Sequence, residues 1–467
     1  MEEKKNQPMK GMSLELIAKA CQGTYVGDES KKEVVVTGVT TDSRQVLSGN
    51  LFIPVVGARV DGHDFIPSVV EAGACCCLSE KKLEHMTVPY ILVDSTLQAI
   101  KDLAEYYRSV LDVKVVGITG SVGKTSTKEM IASILSQKYS VLKTLGNFNN
   151  ELGLPFTIFR IRDEEVAVLE MGISDFGEMH RLSKIARPDI CVMTNIGDCH
   201  LENLGDRNGV LKAKSEIFDY FKEDGAIVLN GDDTHLATVP AQKGVIPERF
   251  GINTRQENYA DHVVNQGLNG TDCEIHMGES SIHVHIAIPG HHMVYNALAG
   301  ACVGKNLGLS LEQIKAGIET LRPVGGRNHI IQNDSMTIID DCYNANPVSM
   351  KASIDVLSTA LGKKIAILGD MFELGDKEEE LHREVGAYAA KKGIDRIICV
   401  GSLSKYMAEE ASLKSKTSEV VYLKNKERLF SYLEDYIDKG STILVKASNG
   451  MKFAEVVEIL KDMKPLR

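Results

Sequence analysis

The sequence lacks long apolar runs, paired cysteine spacings and an excess of positive charge. No apolar run in the 467 residues approaches the roughly 20 residues that span a bilayer, and the first eleven residues lack the apolar segment of a signal peptide. The ten cysteines follow neither a disulfide nor a zinc spacing, and Cys75, Cys76 and Cys77 are consecutive. The formal net charge of −11 argues against a broad surface for nucleic acid or anionic lipid. These absences predict a protein of the reducing cytoplasm without a membrane span.

The composition is that of a globular protein with several domains. Hydrophobic residues make up 43% and charged residues 25% of a chain that is longer than one core normally holds. Strand and helix patterns alternate along most of the chain, which predicts an α/β fold. Helices are predicted over residues 126–140 and 210–218, and an antiparallel excursion of β-hairpins is predicted over residues 258–289. We expect a small α/β domain at residues 1–112, a central P-loop domain at 113–322 and a doubly wound, Rossmann-like domain at 323–467.

The most informative motif is a glycine-rich loop within residues 115–130, which read VVGITGSVGKTSTKEM. An apolar strand precedes Gly120 and Gly123, and a helix is predicted to begin near Lys124. Glycines let backbone amides surround phosphate oxygens at the positive end of a helix. Lys124 can then reach the terminal phosphates, and the Thr125 hydroxyl can ligate Mg²⁺. The spacing is a shortened form of the usual P-loop, and the alternative is an ordinary glycine turn. The strand before it and the helix after it favour a nucleotide-binding loop.

Polar residues also follow two other strands of the predicted central sheet. Glu170 ends the strand predicted over residues 165–169, and His200 follows the strand predicted over residues 190–195. A carboxylate at the carboxyl end of a strand, beside a phosphate loop, suits a Mg²⁺ ligand. The alternative for Glu170 is a solvated strand end, and a lone histidine is more often structural. Lys214, on an apolar helix face, resembles an ordinary surface lysine when it is considered alone.

Several loops could contact a ligand. The Thr40–Arg44 turn suits either an anion contact or a capped surface turn, and the asparagine-rich loop at 147–151 precedes a helix. In the last domain, polar residues follow the strands predicted to end near residues 340, 368 and 445. Ligands of open α/β sheets bind outside the carboxyl ends of the strands, so these three loops are predicted to share one cleft. Residue types alone leave a ligase and a kinase open, and they disfavour a switch or motor NTPase because no clear Walker-B aspartate is found.

Eight motifs, in this order, resemble those of the Mur ligases of bacterial cell-wall synthesis: GITGSVGKTSTK, GNFNNELGLP, VLEMGI, DCHLENLG with AKSEIF, PGHHMVYNALA, PVGGR, DDCYNANPVSM and LGDMFELG. The resemblance extends from about residue 34 to about residue 455. DDCYNANPVSM and LGDMFELG are similar to those of the members that add D-alanyl-D-alanine to a UDP-N-acetylmuramoyl-tripeptide. The sequence contains no Asp-Asn-Pro-Arg, the signature expected of a member that adds diaminopimelate.

The resemblance implies a reaction with two substrates besides ATP. ATP would phosphorylate the terminal carboxylate of the UDP-linked tripeptide, and the amine of D-alanyl-D-alanine would attack the acyl phosphate. The products would be the pentapeptide precursor of peptidoglycan, ADP and phosphate. Two Mg²⁺ ions and a CO₂-derived carbamate on Lys214 are the implied cofactors. The expected partners include neither nucleic acid nor a membrane, and a monomer is expected.

The resemblance also implies a role for individual residues. The implied catalytic residues are Lys124, Glu170, His200 and Lys214. The implied metal ligands are Thr125, Glu170, His200 and the carbamate of Lys214. The implied ATP-binding residues are Gly120, Ser121, Gly123, Lys124, Thr125, Ser126, Asn296, Arg327 and Asp341. The implied substrate-binding residues are Ser43 and Arg44 for the UDP moiety, Asn149, Asn150 and Glu151 for the muramoyl-peptide, and Tyr343, Asn344 and Asn346 for D-alanyl-D-alanine.

Two residues depart from the pattern of the family, and two rival functions are testable. Asn449 stands where many members have arginine, and His292 replaces a common asparagine, so neither is assigned a contact.

A relative of folylpolyglutamate synthase would lack the Asp42-Ser43-Arg44 turn, and a regulatory ATP-binding protein would lack the metal ligands. Because the implied sites lie on three domains, we expect the C-terminal domain to swing inward when substrates bind.

Overall fold

The computed structural model describes residues 9–57 and 59–463. The prediction that the first eleven residues are not a signal peptide concerns residues that lie mostly outside these ranges. The described chain forms three main sheets, one after another in sequence. No helix in the described ranges is long and apolar enough to cross a membrane.

The first sheet is a small, mostly parallel sheet of the amino-terminal region. Its order is β2-β7-β6-β5-β4, with β2 antiparallel to β7, and β1 pairs with β3 in a separate ribbon. The strands are β1 (Met12–Ser13), β2 (Thr24–Val26), β3 (Val35–Val36), β4 (Gly38–Thr40), β5 (Asn50–Phe52), β6 (Cys76–Ser79) and β7 (Tyr90–Leu92). The helices are α1 (Leu14–Ala20), α2 (Ile66–Glu71) and α3 (Thr96–Ser109). Ser95 caps α3 by accepting a hydrogen bond from the Gln98 amide at 3.3 Å, so its hydroxyl replaces a missing helical acceptor.

The central sheet has nine strands in the order β16-β15-β14-β13-β12-β11-β8-β10-β9. The strands are β8 (Lys114–Thr119), β9 (Val141–Lys143), β10 (Val166–Glu170), β11 (Ile190–Met193), β12 (Ala226–Asn230), β13 (Glu248–Gly251), β14 (Asn258–Asn265), β15 (Thr271–Met277) and β16 (Ser280–Ile286). The helices are α4 (Lys124–Leu135), α5 (Gly153–Ile158), α6 (Glu178–Ala186), α7 (Leu201–Leu204), α8 (Arg207–Ser215), α9 (His292–Asn306) and α10 (Leu311–Thr320). The pairings from β9 to β14 are parallel, and the last two are antiparallel. The parallel strands are fully apolar where both faces are covered by helices, as in β11.

The third sheet has the order β17-β18-β22-β19-β20-β21, and β17 alone is antiparallel among its described strands. The strands are β17 (His329–Gln332), β18 (Thr337–Asp340), β19 (Lys364–Gly369), β20 (Arg396–Val400), β21 (Glu419–Leu423) and β22 (Thr442–Lys446). The helices are α11 (Pro347–Ser358), α12 (Glu378–Lys391), α13 (Ser404–Lys414), α14 (Lys426–Tyr436) and α15 (Ala454–Asp462). Asn346 and Ser349 form a capping box at the start of α11, which fixes the preceding loop at the end of β18.

The predicted α/β order is confirmed, including the antiparallel excursion between residues 258 and 289. Two helix bounds were wrong. The helix predicted over residues 126–140 ends at Leu135, because the chain turns at residues 136–140 to enter β9. The helix predicted over residues 210–218 is α8, which starts earlier because Asp206 caps it, and residues 216–218 form a tighter helical turn. The domain boundaries at residues 112 and 322 stay a prediction.

Candidate active site

One cleft of about 810 Å³ lies between the central sheet and the third sheet, at the carboxyl ends of their strands. It is lined by most of the residues that the sequence singled out. These are Ser121, Gly123, Lys124, Thr125, Ser126, Asn149, Asn150, Glu170, His200, Asn296, Arg327, Asp341, Tyr343, Asn344 and Asn346. Asn449 and Lys446 line the same cleft, and so does Glu373 of the loop after β19, so all three loops of the third sheet that were predicted to meet contribute to it.

The phosphate loop joins β8 to α4 and has the backbone that its glycines predict. Gly123 precedes α4 with a φ of 82°, in the left-handed region that glycine adopts readily. Gly120 has a φ of 147°, and a Cβ placed there would lie 2.0 Å from the Thr194 Oγ1 atom. Lys124 Nζ donates a hydrogen bond to the Gly120 carbonyl oxygen at 2.8 Å, so the ammonium group lies over the loop. The amides and the lysine thus form a cradle for an anion.

Asn195 supports this loop from the neighbouring strand and was not predicted as a site residue. Its Oδ1 atom accepts a hydrogen bond from the Val122 amide at 2.9 Å, and its Nδ2 atom donates to the Val122 carbonyl at 3.1 Å. The signal in the sequence was its place two residues after the apolar run of β11. A polar side chain at that place fixes the loop conformation, and it leaves the amides of Gly123 and Lys124 for a ligand.

Glu170 ends β10 and meets the phosphate loop. Its Oε2 atom accepts a hydrogen bond from Thr125 Oγ1 at 2.8 Å, and its Oε1 atom accepts one from Asn149 Nδ2 at 2.8 Å. The carboxylate is buried, and Lys128 Nζ lies 3.9 Å away. Lys128 is itself buried and donates to the Thr144 carbonyl oxygen at 2.7 Å. These contacts hold the Glu170 carboxylate next to the Thr125 hydroxyl. Because this carboxylate is buried, Glu170 is not a solvated strand end, which was the alternative.

These residues fit a hard divalent cation. Among the described residues no group of three His, Cys, Asp or Glu side chains forms a ready-made metal cage. Mg²⁺ is usually bound by one or two protein oxygens together with phosphate oxygens and water, so such a cage is not needed. The Thr125 hydroxyl and the Glu170 carboxylate are hydrogen-bonded to each other beside the phosphate loop. The donor set therefore fits Mg²⁺ that arrives with a nucleotide.

His200 lies in the loop after β11 and faces the third sheet. Its Nδ1 atom is 3.0 Å from Oε2 of Glu373, a residue of the loop after β19. His200 has a φ of 51°, which is unusual for a residue other than glycine. Glu373 also lines the cleft and was not predicted as a site residue, although it belongs to the LGDMFELG motif. The contact joins the central and C-terminal parts of the site.

Lys214 is buried rather than on the surface, contrary to what its residue type alone suggested. Its side chain on α8 is 1% exposed. Burial, and to a lesser extent the nearby Lys124, lower the pKa of Lys214 from its ordinary value to about 8, although the Cys199 thiol opposes them. A lysine in this environment is partly neutral near neutral pH. Lys212, two residues earlier, instead lies with its ammonium 5.7 Å from the Phe176 ring centroid.

A polar pocket surrounds Asn296 on α9 at the far end of the phosphate loop. Its Oδ1 atom accepts a hydrogen bond from Thr127 Oγ1 at 2.9 Å. Next to it, Tyr295 donates to Asp232 Oδ2 at 2.9 Å, and Asn253 donates to the Tyr295 hydroxyl at 3.0 Å. Of these residues, Asp232 and Asn253 belong to segments that the sequence analysis had not linked to the site. Phe250 adds an apolar wall to the cleft here, which makes this end suited to a planar base.

The third sheet contributes a second set of charges. The Arg327 guanidinium lies 4.1 Å from the Tyr343 ring centroid, a cation–π contact that holds it at the cleft. Asp341 is buried and accepts hydrogen bonds from Lys446 Nζ at 2.6 Å, from Ser353 and from the Asn328 amide. His292 is half-buried beside them, 3.1 Å from Asn328 Nδ2, and its partial burial lowers its pKa.

Some predicted residues lie outside the cleft lining. Ser43 and Arg44 belong to the first domain, where Asp42 binds the Arg44 side chain with two hydrogen bonds of 2.8 Å. The Arg44 side chain is 86% exposed, so it is available to a ligand. Glu151 is paired with Arg181 and with Lys101 at the edge of the first domain. Gly120 and Lys214 lie behind the cleft surface rather than on it.

Comparison with known proteins finds similarity to one protein family along nearly the whole chain. Three family models match: "Mur ligase family, catalytic domain" at residues 35–108, "Mur ligase middle domain" at 118–304 and "Mur ligase, glutamate ligase domain" at 326–449. UDP-N-acetylmuramoyl-tripeptide–D-alanyl-D-alanine ligase of Bacillus subtilis is 39% identical over 450 residues, which cover 95% of this chain and 97% of that protein.

Two solved structures are also similar. A crystal structure of MurF from Acinetobacter baumannii matches with a TM-score of 0.90 and 31% identity, covering 98% of this chain and all of the other. MurF ligase from Thermotoga maritima, in complex with ADP, matches with a TM-score of 0.80 and 31% identity over 91% of this chain and 96% of the other.

Proposed function

The chain belongs to the Mur ligase family, and from this premise we propose how its residues carry out the reaction. It is an ATP-dependent ligase that joins D-alanyl-D-alanine to UDP-N-acetylmuramoyl-tripeptide in peptidoglycan precursor synthesis. The observation that most supports the assignment is the shared cleft, which brings the phosphate loop and the DDCYNANPVSM loop together. This supports a single active site in which the phosphates of ATP and the reacting ends of the other two substrates meet.

The first step transfers the γ-phosphoryl group of ATP to the terminal carboxylate of the tripeptide. The backbone amides of the phosphate loop and Lys124 bind the phosphates and neutralise the charge that develops on them. An acyl phosphate and ADP result. The amine of D-alanyl-D-alanine then attacks the acyl carbon, the C–O bond to phosphate breaks, and the amine loses a proton as the amide forms.

We assign two Mg²⁺ sites within this cleft. Thr125 and Glu170 would hold the ion on the ATP side, and His200 would contribute to the second. When bound, the ions reduce the repulsion between the phosphates and the carboxylate that must approach them. The oxygen donors at Thr125 and Glu170 support this choice of metal.

Lys214 is the proposed site of a carbamate. Its low pKa, caused mainly by burial, leaves a neutral amine that can form an N–C bond to CO₂ and release a proton. The positive charge of Lys124 disfavours a second cation at Lys214. The modification replaces that buried cation by an anion, which Lys124 would attract. A carboxylate at this place would serve the second metal. The buried position of Lys214 supports this role and disfavours a surface role.

The remaining residues are assigned to the ends of the three substrates. For ATP, Asn296 would contact the adenine, Arg327 the phosphates and Asp341 the ribose. Ser43 and Arg44 would bind the UDP moiety, and Asn149, Asn150 and Glu151 the muramoyl-peptide. Tyr343, Asn344 and Asn346 would bind D-alanyl-D-alanine. The ten cysteines are free thiols in the described chain, which supports a reducing compartment, the cytoplasm, as the place of the reaction.

An oxygen-label experiment tests the acyl phosphate. UDP-N-acetylmuramoyl-tripeptide labelled with ¹⁸O in its terminal carboxylate is incubated with ATP, Mg²⁺ and D-alanyl-D-alanine. We expect one labelled oxygen in each released phosphate, because the carboxylate oxygen leaves with the phosphoryl group. Unlabelled phosphate together with the pentapeptide would contradict the acyl phosphate, and the absence of pentapeptide would contradict the ligase.

A further inference from the structure

Glu373 connects the C-terminal domain to the central part of the active site. It belongs to the LGDMFELG motif, follows β19 and lines the cleft. Its Oε2 atom lies 3.0 Å from Nδ1 of His200, which is in the loop after β11. A carboxylate from one sheet thus contacts the imidazole of another.

The backbone at this contact is unusual on both sides. His200 has a φ of 51° and Glu373 a φ of 63°, both in the left-handed region that residues other than glycine rarely adopt. Gly375, two residues after Glu373, lies beside Glu202, since a Cβ placed on it would be in ordinary van der Waals contact, 3.7 Å from the Glu202 nitrogen. The two loops therefore meet over several residues, and strained backbone at such a place often serves a function.

We propose that Glu373 is a positioning residue for His200. By accepting a hydrogen bond from Nδ1–H, the carboxylate fixes the tautomer of the imidazole and leaves the lone pair on Nε2. Nε2 is then the nitrogen that can ligate a cation in the cleft. The inference rests on the proposed role of His200 as a metal ligand.

Glu373 reaches His200 from a different sheet, with its Oε2 atom 3.0 Å from Nδ1. Because Glu373 is on the C-terminal domain, the ligand on the central domain is oriented only when that domain is in place. The second metal site and the placement of the domain that binds D-alanyl-D-alanine are thereby coupled.

The tautomer of His200 is measured first, in the protein without substrates. Two-bond ¹H–¹⁵N spectra of the imidazole, in mildly alkaline buffer where histidine is neutral, distinguish the nitrogen that carries the proton. We expect the Nδ1–H tautomer in the unmodified chain and a shift toward Nε2–H in Glu373→Ala. Asp376→Asn removes an exposed carboxylate three residues away and is the matched control, for which no shift is expected. An unchanged tautomer in Glu373→Ala would overturn the proposal.

Metal binding is measured next. Mn²⁺ is titrated by electron paramagnetic resonance into the protein with a non-hydrolysable ATP analogue, which needs no catalysis. Loss of such an orienting carboxylate typically weakens metal binding by roughly 10- to 100-fold, and we expect this for the weaker Mn²⁺ site in Glu373→Ala. If His200→Ala weakens this site and Glu373→Ala does not, the positioning role is wrong. If neither variant weakens it, the proposed role of His200 is also wrong.

Discussion

Lys214→Ala is expected to lower the rate of ligation by about 10³-fold or more. The substitution removes the amine that would form the carbamate, and the carbamate is a proposed metal ligand. A bound metal ion typically stabilises the charge of such transition states by several kcal/mol. A loss of about 4 kcal/mol corresponds to a rate that is about 10³-fold lower. Short carboxylic acids such as acetate can enter the space left by the side chain, so we expect them to restore part of the activity. Initial rates of phosphate release, with and without added acetate, measure both effects.

Two comparisons separate this effect from a loss of packing. Lys212→Ala removes a lysine from the same helix that contacts Phe176 instead of the core, and we expect nearly unchanged activity. Depleting CO₂ and bicarbonate should lower the activity of the unmodified chain, and adding them back should restore it. A Lys214→Ala variant that keeps full activity without added acids would rule out the carbamate.

Glu170→Gln is expected to reduce kcat/KM for ATP by roughly 10²- to 10³-fold, and to raise the Mg²⁺ concentration needed for half-maximal activity. The substitution keeps the shape of the side chain but removes the negative charge that lies beside Thr125. Lys128, 3.9 Å from the carboxylate, would then lose one of its two acidic neighbours and keep only Glu129, 3.2 Å away. Initial rates over a range of Mg²⁺ concentrations measure the change.

Glu165→Gln is the matched control for this variant. Glu165 immediately precedes β10, at the end opposite Glu170, where its carboxylate accepts a hydrogen bond from the Ser140 amide at 2.9 Å. Its charge is therefore far from the phosphate loop along the same strand, and we expect the same Mg²⁺ dependence as in the unmodified chain. An unchanged Mg²⁺ requirement in Glu170→Gln would show that Glu170 is not a ligand of the ion.

The local motifs made much of the site predictable. The glycines of the phosphate loop need a particular backbone, and the structure has it at Gly120 and Gly123. Residues at strand ends were also predictable, since parallel strands present their carboxyl ends at one edge of a sheet. This is why Asp341 and Lys446, at the ends of two adjacent strands of the third sheet, line one cleft although they are far apart in sequence.

Environments built from distant segments were not predictable from residue types. Lys214 resembled a surface lysine because a lysine on an apolar helix face normally extends its ammonium group to solvent. Its burial depends on the packing of α8 against the rest of the central domain. Glu373 gave no signal of its contact with His200, because the contact depends on how two domains meet. The ends of α4 and α8 were misjudged because caps and turns, rather than apolar periodicity, determine them.

The most direct test of the account is the release of phosphate from ATP in the presence of UDP-N-acetylmuramoyl-tripeptide and one amine at a time. D-alanyl-D-alanine is compared with D-glutamate, diaminopimelate and lysine, and the product is identified by mass. We predict that phosphate is released rapidly, and the pentapeptide formed, only when the added amine is D-alanyl-D-alanine. Release that depends on another of these amines would contradict the assignment of the loop at residues 341–350, and no release with any amine would contradict the ligase function itself.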